Sequence, residues 1–280
     1  MRAVLKLSGA GLGAYHWLLD WLRRLCRREP LSVHCYALHY LTHEPARTEM
    51  MLLLEEGDRV GSYLLVWWGG RYAIQDLYEV YLWKPCKELV SALYVPPSKR
   101  VDIQLYDYVP SDIKTVVKHM EGLGFKRFHI GKFYDMVCWH DTFRPSPLEA
   151  LAVRLGEEHA PLYRELELER GIEIGIEEAR MILREYVHYG VIINNTLASI
   201  AARYVTLQDI HIIGGVYTRT RYRRRGYATA VTSALTREAV GSGALAGLHV
   251  GVDNKTAIGI YDKLGYRILR VREWIFAYPT

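Results

Sequence analysis

Apolar and polar residues follow two rhythms along this chain, one helical and one extended. At helical spacing, Trp17, Leu18, Trp21, Leu22 and Leu25 form one stripe, the pattern of an amphipathic helix packed on a core rather than laid on a membrane surface. The run that contains it, 12–25, is apolar enough for a secretory leader. However, Asp20, Arg23 and Arg24 interrupt it, and no small-residue cleavage site follows. Segments 55–64 and 190–200 each read as strand, tight turn, strand. The second half predicts helices over 147–158 and 176–185, a hairpin over 189–193 and 197–205, and a β-branched strand over 209–217. An Ala- and Leu-rich helix over 225–240, a strand over 246–252, a helix over 256–264 and terminal strands over 266–278 follow. That order predicts a mixed α/β domain with strands around one central crossover helix.

Arg144-Pro145-Ser146-Pro147 interrupts both rhythms, because two prolines so close together stop regular structure. The expected division is therefore 1–144 and 145–280. The halves echo one another. Leu123-Gly124-Phe125 and Leu264-Gly265-Tyr266 each follow a helical pattern and precede a β-rich tail. A duplicated fold is expected.

Composition narrows the class. The 280 residues are 50% hydrophobic and 24% charged, a globular balance with enough apolar mass for two domains. No stretch of about 18 apolar residues predicts a membrane span. The net charge of +5 is partly gathered in Arg23, Arg24, Arg27 and Arg28, and in the segment 219–225. The first cluster reads as a solvated face; the second has a better explanation than nucleic acid. Cys26, Cys35, Cys86 and Cys138 show neither a paired motif nor metal-ligand spacing, so reduced thiols, a cytoplasmic location and no metal are expected. Gln occurs only at 75, 104 and 208 and Asn only at 194, 195 and 254, a depletion that hints at a thermophilic source.

The chemistry concentrates where a strand ends at Val216-Tyr217-Thr218, a basic loop turns, and a helix opens at Arg223-Arg224-Arg225-Gly226-Tyr227-Ala228-Thr229. The first N–H groups of a helix have no intrahelical partner and stand at the positive end of its dipole. Such a turn holds a phosphate or pyrophosphate. Gly226 removes a side chain where the anion meets the backbone, and Ala228 stays small. It is neither a P-loop nor a Rossmann fingerprint, because their remaining residues are missing.

Arg223-x-x-Gly226-x-Ala228, with Gly214 to Thr218 before it and Leu248-x-Val250-x-x-x-Asn254-x-x-Ala257-x-x-x-Tyr261-x-x-x-Gly265-Tyr266 after it, resembles the GNAT superfamily of acetyl-CoA-dependent N-acetyltransferases. The match spans roughly residues 190–280. The whole chain resembles tandem, glycine N-acyltransferase-like members whose first domain is degenerate. The resemblance implies two GNAT-like domains, each a mixed, mostly antiparallel sheet flanked by helices, with catalysis in the second. It implies acetyl-CoA as cosubstrate and a small-molecule or peptide amine as acceptor, with direct attack in a ternary complex. Val216, Tyr217 and Thr218 would pair with the pantetheine arm. The amides of Arg224, Arg225, Gly226, Tyr227, Ala228 and Thr229, with Arg223, would hold the pyrophosphate. Asn254 would bond near the thioester arm, and Tyr261 would protonate the leaving thiolate.

The chain departs from that pattern at the general base. The strand 209–213 has no Glu; His211 is the candidate on intrinsic acidity, with Asp209 beside it. A non-catalytic acetyl-CoA-binding regulatory module is the alternative. In the first half, Trp83-Lys84-Pro85-Cys86 stands where the anion turn would be. Pro85 removes an N–H and no Gly allows close approach, so no coenzyme site is expected there. The aromatic stretch with Trp67, Trp68, Tyr72 and Tyr78 is expected as core or as an acceptor wall.

Overall fold

The computed structural model describes residues 3–8, 16–56, 59–71 and 74–279. Leu12, Gly57, Asp58 and Tyr72, used above, lie outside them. The chain divides into two compact units: Met1–Arg71, Gln75–Phe133 and Val271–Thr280 form the first, and Tyr72–Ile74 with Tyr134–Arg270 the second. The Arg144–Pro147 segment therefore falls inside the second unit, and the last ten residues belong to the first.

In the first unit, β1 (Ala3–Ser8), α1 (His16–Arg28), α2 (Val33–His43), β2 (Thr48–Leu54), β3 (Val60–Arg71) and β4 (Ile74–Trp83) come first. They are followed by α3 (Lys87–Ala92), β5 (Arg100–Tyr106), α4 (Pro110–Gly122) and the start of β6 (Arg127–Cys138). β1, β2 and β3 are antiparallel neighbours, whereas β4 and β5 run parallel from Leu77–Arg100 to Trp83–Tyr106. The carboxyl-terminal part of the last strand closes this sheet by pairing Trp274 to Ala277 with β5. One face is packed under α3 and α4 by Leu64, Val80, Val101, Ile103 and Phe125. α1 buries Leu18, Leu22 and Leu25 as its periodicity predicts, but Trp17 stays outside the stripe at 46% exposure.

The expectation of four reduced thiols is corrected here: Cys26 and Cys35 form a disulfide. The reversal between α1 and α2 brings their Cα atoms to 4.9 Å, within bridging range; a nine-residue separation carries no motif that announces this. Closing so short a loop stabilises by about 2–3 kcal/mol. Reduction, or Cys26→Ser with Cys35→Ser, should lower the melting temperature of the first unit, read by calorimetry with and without reductant.

The second unit repeats the order. It comprises the end of β6, β7 (Ala152–Leu155), α5 (Ala160–Glu169), α6 (Ile176–Glu185), β8 (Val187–Ile193), β9 (Thr196–Thr206) and β10 (Ile210–Thr218), then α7 (Tyr227–Gly241), β11 (Leu245–Gly251), α8 (Lys255–Lys263) and the start of β12 (Arg267–Tyr278). β7 to β10 are antiparallel neighbours, β11 runs parallel to β10, and β6 lies beside β11. Each unit is thus a mixed, mostly antiparallel sheet with helices packed on it, as expected. The helix expected over 147–158 is corrected: that stretch is a 3-10 turn at Glu149–Leu151, the strand β7, and another turn at Glu157–His159. Pairing of Ala152–Leu155 along the edge of β8 overrides the local helical periodicity.

The internal echo is structural. α4 ends in Leu123 and Gly124 (φ 107°), and α8 ends in Leu264 and Gly265 (φ 93°). In both, the following aromatic N–H reaches back: Phe125 to the Met120 carbonyl and Tyr266 to the Tyr261 carbonyl. This is the same left-handed helix stop, each followed by a strand of 12 residues.

Candidate functional site

Two departures from regular pairing open a cleft at the end of β10. The parallel ladder to β11 spans only Ile210–Ile212 and Leu245–Gly247. Beyond it the edge of β10 facing β11 has no ladder. On the other side, β10 pairs with β9 across a bulge between Gly214 and Tyr217, with Gly215 at φ 61°. A bulge bends its strand and leaves one residue out of the ladder. Val216, Tyr217 and Thr218 line the resulting cleft of about 870 Å³. In the first unit the corresponding ladder stays paired to the end of β4, and α3 has only six residues.

The anion turn takes the form its residues call for. Gly226 caps α7 at φ 79°, and Arg224 two residues earlier is also left-handed at φ 60°. The first amides of α7 are unpaired within the helix and meet the cleft; Gly226, Tyr227, Ala228 and Thr229 line it. Arg223 and Arg224 also line it and are exposed, as is Arg225, which lies outside the lining and faces the Tyr222 ring at 5.8 Å. Arg219 does other work. Its side chain is buried, donates to the Leu197 carbonyl at 2.9 Å and pairs with Glu169 at 2.7 Å. It locks the end of β10 to β9 and α5, so its charge is not available to a ligand.

The far wall is α8. Asn254 caps the helix by accepting from the Ala257 N–H at 3.1 Å, and it also lines the cleft. Tyr261, 6% exposed, packs in the α7–α8 core and reaches the cleft surface. Burial pushes its phenol up to about 12, with the Tyr204 phenol adding to the shift. It stays protonated at any ordinary pH. Tyr204 was not read from the sequence. Its ring lies over the bulge, where a Cβ on Gly214 would meet it at 2.4 Å. Gly214 therefore makes room for that aromatic ring, and a glycine pair inside a strand was its only signal.

His211 is not gathered with the others. It sits at the start of β10, its Nδ1 3.3 Å from Arg203, whose guanidinium pairs with Glu238. Glu238 stands twelve residues along α7 from Gly226, about 18 Å at helical rise. Burial, then Arg203, pushes the imidazole down to about 4. His188, buried and donating from Nδ1 to the Tyr186 carbonyl at 2.9 Å, is likewise pushed down to about 4 by burial. A histidine held neutral when folded loses stability as pH falls from its unfolded value near 6.5 toward 4, because the unfolded chain binds the extra proton. His188 alone accounts for about 3 kcal/mol of that loss. His188→Gln should flatten the dependence of unfolding free energy on pH across this window, measured by denaturant titration.

Among the described residues no cluster of His, Cys, Asp and Glu could hold a metal, and no helix is long and apolar enough to cross a membrane.

Residues 188–275 match the family model described as FR47-like protein. No curated protein matches the chain. Among solved structures, a Drosophila protein is similar over 100% of this chain and 99% of its own, at 16% identity and a TM-score of 0.65. A tandem GNAT protein from the clavulanic acid biosynthesis pathway is similar over 99% and 98%, at 15% identity and a TM-score of 0.58. A GCN5-related N-acetyltransferase from Sphaerobacter thermophilus is similar over 99% and 94%, at 15% identity and a TM-score of 0.55. The polypeptide thus has the fold of the GCN5-related N-acetyltransferases, and the part of it that matches the FR47-like model contains the cleft.

Proposed function

We propose that the second unit transfers the acetyl group of acetyl-CoA to an amine, by direct attack with both substrates bound. The observation that carries this reading is one cleft that combines the left-handed anion turn at the head of α7, an unladdered edge of β10 and the buried phenol of Tyr261. Acetyl-CoA fits that donor set: a pyrophosphate for the α7 amides, a chain of amides for the strand edge, and a thioester that supplies an activated acyl carbon.

The protein's own groups then have separable tasks. Arg223, Arg224 and the amides from Gly226 to Thr229 bind the phosphates. Backbone groups of Val216 and Thr218 align the arm as an added strand would. A backbone N–H that the bulge between Gly214 and Tyr217 leaves out of the ladder would donate to developing negative charge on the acyl oxygen. Tyr261 holds the proton that the departing sulfur needs. We assign the first unit no coenzyme, a reading supported by the β4–β5 ladder, which stays paired to Trp83–Tyr106, and by Pro85, which has no N–H to offer an anion.

The test is a thiol-release assay with acetyl-CoA over amino acids, polyamines, aminoglycosides and peptide amines, alongside calorimetric binding of CoA. Release that depends on an amine supports the reading. Tight CoA binding without transfer to any amine would instead make the unit a non-catalytic coenzyme-binding module.

A further inference from the structure

Trp67 and Trp68 are neighbours in β3, and their side chains leave the sheet on opposite faces. Trp67 is buried, donates from Nε1 to Glu44 at 2.8 Å and stacks on Tyr40 of α2 at 5.0 Å. Tyr81 of β4 is matched in the same way, donating to Glu79 at 2.6 Å and stacking on Tyr36 of α2 at 4.9 Å. Trp68 shares its face with Leu64 and Val66, which pack under α3 and α4. There it lines a cavity of about 260 Å³ together with Tyr78 and Tyr94. Among the described residues these three rings touch no other aromatic ring, and Trp68 Nε1 and the two hydroxyls have no hydrogen-bond partner. The whole cavity belongs to the first unit.

Its origin is the length of α3. In the second unit α7 covers the sheet with 15 residues, about 22 Å at helical rise, whereas α3 has six, about 9 Å. The helix ends at Ala92, and the chain beyond it supplies Tyr94 and Pro96 as a wall. Met51 of β2 and Val66 of β3, each 7% exposed, line the cavity from the sheet. The rim carries an ion pair between Lys6 of β1 and Glu49 of β2. Lys6 stands opposite Met51 and Glu49 opposite Val66, so both charges lie on the face that holds the cavity.

Three properties restrict the occupant. The volume is under a third of the cleft of about 870 Å³ in the second unit, and equals roughly nine waters, which suits one amino acid rather than a nucleotide. The rings and the apolar floor favour an aromatic or large apolar group. The rim offers one charge of each sign, with side chains 60% and 27% exposed. So exposed an ion pair is weakly held, and a ligand with both charges replaces it charge for charge. A ligand with a single charge would leave a like charge beside it.

We propose that this cavity binds a free α-amino acid with an aromatic or large apolar side chain. Its carboxylate meets Lys6, its ammonium group meets Glu49, and its side chain lies among Trp68, Tyr78 and Tyr94. The assignment is independent of acyl transfer by the second unit.

The experiment is calorimetric titration of the full chain with L-phenylalanine, L-tryptophan, phenethylamine, 3-phenylpropionate and glycine. The two aromatic amino acids should bind, and the other three should bind at least about 10-fold more weakly, because each lacks a charge or the ring. Glu49→Gln and Lys6→Met should each weaken L-phenylalanine by about 10-fold for the same reason. Trp68→Ala should weaken it by a similar factor through the lost ring contact. If Trp68→Ala does not fold, Tyr94→Ala decides, since Tyr94 is 70% exposed and its loss leaves the core intact. No binding of either aromatic amino acid at millimolar concentration overturns the proposal. Phenethylamine or 3-phenylpropionate binding as tightly as L-phenylalanine overturns it too, because the rim pair would then select nothing. Undiminished binding in Glu49→Gln, Lys6→Met and Tyr94→Ala would put the amino acid elsewhere and remove the site.

Discussion

Gly226→Glu should abolish CoA binding while leaving the protein folded. Three effects act together at this position. The residue is left-handed, φ 79°, a conformation that costs a side-chain-bearing residue about 1–2 kcal/mol. A Cβ there would also meet Leu148 Cδ1 at 2.8 Å, a contact the flexible leucine can relieve by turning. The carboxylate is the decisive part. It would place a negative charge on the unpaired amides that are meant to receive the pyrophosphate, satisfying them in its place and repelling the ligand. Loss of affinity by about 100-fold or more is expected by calorimetry, from the loss of several charge-assisted bonds. Gly226→Ala carries the strain without the charge and should keep measurable binding. Equal binding by wild type and Gly226→Glu would place the coenzyme elsewhere.

Tyr261→Phe should separate binding from turnover. The substitution removes one oxygen from a side chain that is 6% exposed and packed against Tyr266 at a centroid distance of 5.9 Å, so the core keeps its shape. CoA affinity should stay within about 2-fold. Turnover should fall by about 100- to 1000-fold, the range for loss of a positioned proton donor. Because burial lifts the phenol to about 12, Tyr261 is protonated across the working range. It should therefore contribute no basic limb below about pH 11, and any limb near neutrality belongs to another group. A variant with full activity across pH would remove Tyr261 from the chemistry.

What was legible beforehand follows the length scale of each feature. The anion turn, Val216 to Thr218, Asn254 and Tyr261 come from short contiguous segments whose spacing already determines which residues share a turn or a helix face. Those residues do meet in one cleft. His211 lies apart from that cleft for a definable reason. Its intrinsic acidity suited a base, but neither its face nor its distance along β10 could be read from one strand. Packing placed it beside Arg203 and Glu238. The arginine cluster was read as one unit, yet Arg219 is buried against Glu169 and only its neighbours remain exposed. β7 was misread because an edge strand depends on its partner β8 rather than on its own periodicity.

Local periodicity, the glycine stops and the Arg-x-x-Gly pattern together determined, by sequence alone, the element order from α6 to the last strand and the position of the turn that opens α7. These are interactions within a few residues, and their energies are set where the residues stand in the chain. Three things were decided only by the tertiary structure. Val271–Thr280 joins the first unit, Cys26 meets Cys35, and Asp135 on β6 meets His249 on β11, 114 residues later. Each is a contact whose stabilisation appears only once the chain has closed a loop and buried both partners, so no local pattern announces it.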